Sequence, residues 1–145
     1  MPEPQSYAKH AKFVPLYHQV LFGILLLTLI GSLVNLYKSL GDHERIYSAS
    51  LIAALTFALI LTALFARVFA LGAQDRVIRA EENMRHYIMT GKMLDPRLTV
   101  RQIVGLRFAS DGEFVELARK AAEQGMSITD IKKSVKSWRA DNDRL

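Results

Sequence analysis

The stretch "LFARVFALGAQDRVIRAEEN", residues 64–83, decides the architecture, because it starts as apolar helix and ends as a run of charges with no proline or loop cluster between. Working outward from it, no Asp, Glu, Lys or Arg stands between Arg45 and Arg67, a gap of 21 residues, and none between Lys12 and Lys38, a gap of 25. A bilayer core of about 30 Å needs roughly 20 apolar helical residues, so each gap is long enough to cross. Core helices of soluble proteins are usually shorter and keep a polar stripe. The sequence predicts two membrane spans, the second of which leaves the membrane near Arg67 and continues as one helix.

At 145 residues the chain is one domain, or a small domain plus an anchor. It has no cysteine, which excludes disulfides, thiolate metal sites and a cysteine nucleophile. Lys9 and Lys12 precede the first apolar run as in a signal peptide, but the run is longer than a usual signal core. No small-x-small cleavage site follows it, and the charged "KSLGDHER" comes next, so it reads as an uncleaved anchor. Pro15 suits a first helical turn, where its missing N–H is not needed. Gly41 supplies a turn in a connector too short to hold a domain.

The expected fold is an all-α membrane protein. Residues 1–15 form a cytoplasmic N-terminal segment, and residues 16–69 a transmembrane helical hairpin with spans over 16–37 and 48–69 and an outer turn over 38–47. Residues 70–91 form a cytoplasmic helical extension, and residues 92–145 a small helical module. Charge sets the orientation. The first 15 residues carry a net +1, the connector 0, residues 67–107 a net +4 and the remainder 0, so the whole excess of +5 lies at the termini. Lys and Arg near spans stay cytoplasmic. Both termini are therefore expected inside.

Along the extension, Ala70, Ala73, Val77, Ala80, Met84 and Tyr87 recur at three- and four-residue steps, a narrow apolar seam of the kind that packs on one partner helix. Asp75 with Arg79 and Glu81 with Arg85 stand at i,i+4, each pair worth about 0.3 kcal/mol. Gly91 is placed to cap the helix, and Gly72, costing about 1 kcal/mol relative to Ala, marks where it would bend. Beyond Asp95-Pro96 three short helices are expected. Thr99 caps residues 100–107. "SDGE" (Ser110 to Glu113) has capping-box spacing before a run ending at Gly125, and "SITD" (Ser127 to Asp130) opens a last helix through Trp138. Phe114, Leu117, Ala118 and Ala121 make one apolar face; Ile128, Ile131, Val135 and Trp138 make the other.

The most specific pattern is a ridge of small residues in span two: Ser50, Ala54, Ala58, Thr62, Ala66 and Ala70, at every fourth position. In lipid such a ridge lets another backbone approach closely. It serves either an oligomer or partner seam, or packing inside the hairpin, where span one offers Gly31 with Asn35 and Thr28 with Ser32. Lys92, Arg97, Arg101 and Arg107 follow the extension and read as contacts to anionic lipid, each worth about 1 kcal/mol near such a surface, or as ordinary positive-inside bias.

Catalytic, cofactor and metal sites are not expected. His10, His18, His43 and His86 share no metal-ligand spacing, and neither span has the buried ionisable partners a proton relay needs. No phosphate-binding loop or nucleophile elbow is present. Ala121, Gly125 and Ile131 stand roughly as in a helix-turn-helix unit, but the segment from Phe108 is charge-neutral, whereas DNA binding draws on net positive charge.

"YAKHAKFVPLYHQV", "ALGAQDRVIRAEENMRHY", "LTVRQIVGLRFASDGEF" and "IKKSVKSWRAD", taken in order, resemble an uncharacterised family of small bacterial two-span membrane proteins. Its members are catalogued as a domain of unknown function, some under a permease label. The resemblance implies placement in the bacterial inner membrane and transfers no site. The expected role is a non-enzymatic membrane interaction protein, a scaffold or accessory subunit whose partners are membrane lipids and either itself or another membrane protein. A membrane-tethered DNA-binding regulator and an oligomeric pore or transporter subunit are the alternatives.

Overall fold

The computed structural model describes Tyr7 and residues 13–141; most of the expected N-terminal segment, with His10 and the flanking Lys9 and Lys12, lies outside them. A π turn over Leu16–Leu21 leads into α1 (Phe22–Lys38), followed by α2 (His43–Thr90), α3 (Val100–Leu106), α4 (Asp111–Gln124) and α5 (Ile128–Ser134). Among the described residues there is no strand, only an isolated antiparallel bridge between Ala109 and Trp138. The described residues divide into two compact units, Phe13–Phe69 and a second that includes residues 70–141.

The first unit is a helical hairpin. Leu16–Lys38 and His43–Thr90 both contain windows long and apolar enough to cross a membrane, as expected. The connector is shorter than the sequence suggested. Asp42 accepts through Oδ1 from the backbone N–H groups of Glu44 and Arg45, capping α2 at His43 rather than near residue 48. Gly41 takes φ +95°, the left-handed conformation that the tight return demands.

The hairpin has its own seam. Leu25, Ser32 and Ser39 are the buried positions of its first arm, and Ala49 and Thr56 those of its second. Ile46, Ala53, Ile60 and Ala63 are half-buried, which extends the second set at alternating three- and four-residue steps. The Tyr17 hydroxyl donates to the Ala63 carbonyl at the open end of the hairpin. From that bond, equal helical rise brings Leu25 level with Thr56 and Ser32 level with Ala49, to within a residue. The seam hydroxyls are satisfied locally: Ser32 donates to the Leu29 carbonyl, Ser39 to Asn35 and Thr56 to Ile52, each at 2.8 Å. Among the described residues, no buried side-chain polar atom of the hairpin lacks a partner.

The second unit closes around Leu94, Leu98, Ile103, Leu106, Phe108, Ala109, Phe114, Leu117, Ala118, Ala121, Ile131 and Val135. Helix α2 runs unbroken through Gly72 and stops where Gly91 takes φ +72°. The reversal that follows is held by Asn83, whose Oδ1 accepts from the Leu94 N–H, and by His86, whose Nδ1 meets the Lys92 carbonyl at 2.7 Å. Thr99 and Gln102 form a reciprocal capping box on α3. The buried Gln102 also donates through Nε2 to the Met126 carbonyl, tying α3 to the turn before α5. Helices α3 and α5 approach closely at Gly105, where an added Cβ would lie 3.2 Å from Ile128 Cγ1 and 3.3 Å from Ile131 Cγ2.

Two expectations fail in this unit. Ser110 begins α4 but makes no side-chain cap, and the reverse half of the box is absent too: Glu113 accepts from the N–H groups of Lys136 and Ser137, and the Ser110 N–H goes to the Ser137 carbonyl. The last helix ends at Ser134, not at Trp138: Val135 turns extended (ψ 119°). The following backbone then pairs with residues 108–110, the Arg139 N–H donating to Phe108 and the Ser110 N–H to Ser137. Trp138 lies with its ring centroid 4.8 Å from that of Phe108. An apolar residue every third or fourth position suits a helix, but four backbone bonds to Phe108, Ser110 and Glu113 outweigh one further helical turn.

Candidate functional site

The face of α2 that meets the module is polar. Ile78 and Glu82 are buried, and the Arg85 side chain is 11% exposed. Arg85 donates from Nη1 to Glu82 (3.0 Å), from Nε to Asp111 (2.8 Å) and from Nη2 to the Ala109 carbonyl (2.8 Å), while its guanidinium lies 4.2 Å from the Phe114 ring centroid. Glu82 also stands 3.7 Å from Arg139, and Arg107 pairs with Asp141 at 3.0 Å. The Arg85 hydrogen bond, and then its charge, holds the Asp111 carboxyl below the usual carboxylate range. Glu82, Arg85, Arg107, Asp111, Arg139 and Asp141 line a charged cleft of about 710 Å³ together with Gln74, Val77 and Glu81. Glu82 was the i,i+3 partner that sequence spacing passed over in favour of Glu81, and the link to Asp111, 26 residues away, has no local signal.

Each of the cleft's arginines is matched by a carboxylate, and no group of three or more metal-ligating side chains occurs among the described residues. Such an arrangement holds elements together; it offers neither a nucleophile with a base nor a free cluster of acids.

The sequence-singled residues are placed elsewhere. Ser50, Ala54, Ala58, Thr62 and Ala66 are all exposed, so the ridge is not the hairpin's internal contact, and only Ala70 at its end is half-buried. The helix turned these positions outward because the interior seam uses the offset set Ala49, Ala53, Thr56 and Ile60. Ser50 and Thr62 donate to the Tyr47 and Ala58 carbonyls, so the ridge presents no unmet hydroxyl. Ala73, Val77, Ala80, Met84 and Tyr87 are likewise exposed, Val77 at the edge of the charged cleft. Beside them lies a mainly apolar groove of about 550 Å³ lined by Ala80, Met84, Ile88 and Met89, with Glu81, Arg85 and the module's Asp111 at its edge. Of the basic set, Lys92 and Arg101 are exposed, Arg97 is bound to Asp95 at 2.6 Å, and Arg107 is turned into the fold, its side chain 10% exposed.

The α4–α5 pair keeps the expected turn at Gly125 (φ +59°), with Ala121 and Ile131 fully buried. Arg119 bridges Glu116 and Glu123 and Lys132 lies over Phe108, while Lys120, Lys133 and Lys136 are exposed.

The whole chain, residues 1–145, matches the profile of a family described as "Family of unknown function (DUF6526)", and the protein belongs to that family. No curated protein matches the chain. No solved structure matches it either.

Proposed function

With DUF6526 membership as the premise, and no activity attached to that family, we propose that the protein is a non-enzymatic, integral membrane interaction protein of the bacterial inner membrane. Its hairpin spans the bilayer, and its helical module stands in the cytoplasm as part of a scaffold or accessory subunit. One observation carries this reading. The most apolar window of each long helix is only 11% buried, and large side chains such as Leu27, Phe57 and Phe69 project outward. A core helix of a soluble protein would be mostly covered; helices left this bare need another apolar medium. The outward small-residue ridge, with its hydroxyls satisfied, supports a role in packing against a further helix.

Orientation follows from the excess of Lys and Arg after the second span. Leu40 is exposed in the connector and Ser137 in the module, so both suit single-cysteine labelling, whereas Ser39 is buried and bonded to Asn35. With an impermeant thiol reagent on intact cells, Leu40→Cys should label and Ser137→Cys should not. The reverse pattern refutes the topology, and release of the chain by alkaline carbonate refutes insertion.

A further inference from the structure

The exposed seam on α2 has a heptad register. Ala70, Val77 and Met84 stand at a, and Ala73, Ala80 and Tyr87 at d. The residues of α2 that the module covers, Ile78, Glu82 and Arg85, stand at b and f, and Asn83 and His86, bonded to residues 94 and 92, stand at g and c, all off the a/d stripe. The module therefore packs on the back of α2 and leaves the a/d stripe open, with Val77 55% and Met84 59% exposed. Two charged residues flank that stripe: Arg76 at g and Glu81 at the next e, both exposed.

We propose that this stripe is the seam of a parallel two-stranded coiled coil formed with a second copy of the same chain. In a parallel pair, g of one helix faces e of its partner five residues on. Arg76 then faces Glu81 of the other copy, and the two-fold axis repeats the contact, so one self-complementary patch supplies both ion pairs. In an antiparallel pair e faces e and g faces g. The remaining flanking positions are Gln74, Asn83, Phe69 and Ile88, so neither Arg76 nor Glu81 would meet an opposite charge. A foreign helix would have to reproduce this spacing; a second copy has it already. The inference rests on the membrane reading for one element: chains inserted with the same topology meet in parallel. Three of the six seam residues are alanine, which gives a close but modest contact, and confinement to one bilayer raises the local concentration that sustains it.

The chain has no cysteine, so introduced ones report alone. Single variants Val77→Cys, Met84→Cys and Arg79→Cys, the last exposed at c, are made in the full chain and oxidised mildly in native membranes. Disulfide-linked homodimers should form several-fold more at 77 and 84 than at 79. Adding Arg76→Glu to Val77→Cys should cut the dimer several-fold, and adding Glu81→Arg as well should restore it. Equal crosslinking at all three positions, monomer throughout, or a mixed disulfide with another protein refutes the second copy as occupant. A charge swap without effect refutes the parallel pairing. A chain that crosslinks as described but leaves the membrane in alkaline carbonate refutes the membrane reading and not the dimer.

Discussion

Replacing Arg85 with Ala should unlock the second unit. The substitution removes three hydrogen-bonded partners at once and the cation stacked on Phe114. The exposed Asp111 returns to water at little cost, but Glu82 is 7% exposed and keeps only Arg139, at 3.7 Å. Removing one partner of a buried pair costs about 3–5 kcal/mol, and the low end applies where a second cation remains. The Ala109 carbonyl, in a fully buried residue, loses its donor as well, an effect of about 1–3 kcal/mol if water cannot enter. Because the cleft is open, water recovers part of this, and about 3 kcal/mol is the expected total. Trp138 is the chain's one tryptophan and packs on Phe108, so its fluorescence reports this unit alone. Urea titration of the full chain in mild detergent should show the Trp138 transition at much lower denaturant with its slope unchanged. Arg119→Ala, which removes ion pairs on the outer face of α4, should leave the midpoint in place. A loss below about 1 kcal/mol for Arg85→Ala would mean that the network does not hold the unit together.

Ala49→Leu should destabilise the hairpin by about 1–3 kcal/mol, since Ala49 is 1% exposed in its seam; Ala58→Leu, on the outward ridge, should leave abundance unchanged and alter only complex size on a native gel. Gly105→Ala gains about 1 kcal/mol of helix propensity but drives a methyl against Ile128 and the fully buried Ile131, so a net loss of about 1 kcal/mol is expected by urea titration. Asp95, held at a pKa of about 2 by hydrogen bonds from the Arg97 side chain and backbone, should stay ionised far below the usual carboxylate range. Its folded pKa is depressed, so its contribution is present above the ordinary Asp pKa and is lost as pH falls toward 2; carboxyl NMR of wild type and Arg97→Ala checks both the value and its cause.

The long-range plan was legible wherever one periodicity ran without competition. The charge-free gaps gave both long helices, the unbroken pattern through residues 64–83 gave their continuation, and Thr99, Gly91 and Gly125 marked ends that the backbone uses. Legibility failed where a residue had two local uses. Asp42 read as one charge of a loop, yet its carboxylate caps α2. Glu113 read as a capping-box partner, yet it receives two backbone groups from residues 136–137. Periodicity also found the apolar stripe on α2 without telling which face the module covers. That depended on Arg85, whose partners in the module lie 24 to 26 residues away.

The π turn over Leu16–Leu21 carries a consequence for chain length. A wide turn of this kind holds one residue more than an α-turn for nearly the same rise, so it behaves as a single-residue insertion absorbed in place. Without it, every side chain upstream would be rotated by about 100° around the helix axis relative to α1, and Tyr17 would no longer point at the Ala63 carbonyl. Deleting one residue there, Val20 for instance, should relax the segment to ordinary α-helix. Leu25, Ser32 and Ser39 would keep their places, and only the Tyr17 latch at the open end would go. The hairpin thus tolerates a change of length at its entrance that it could not accept within the helices between Leu25 and Lys38 or between Ala49 and Thr56.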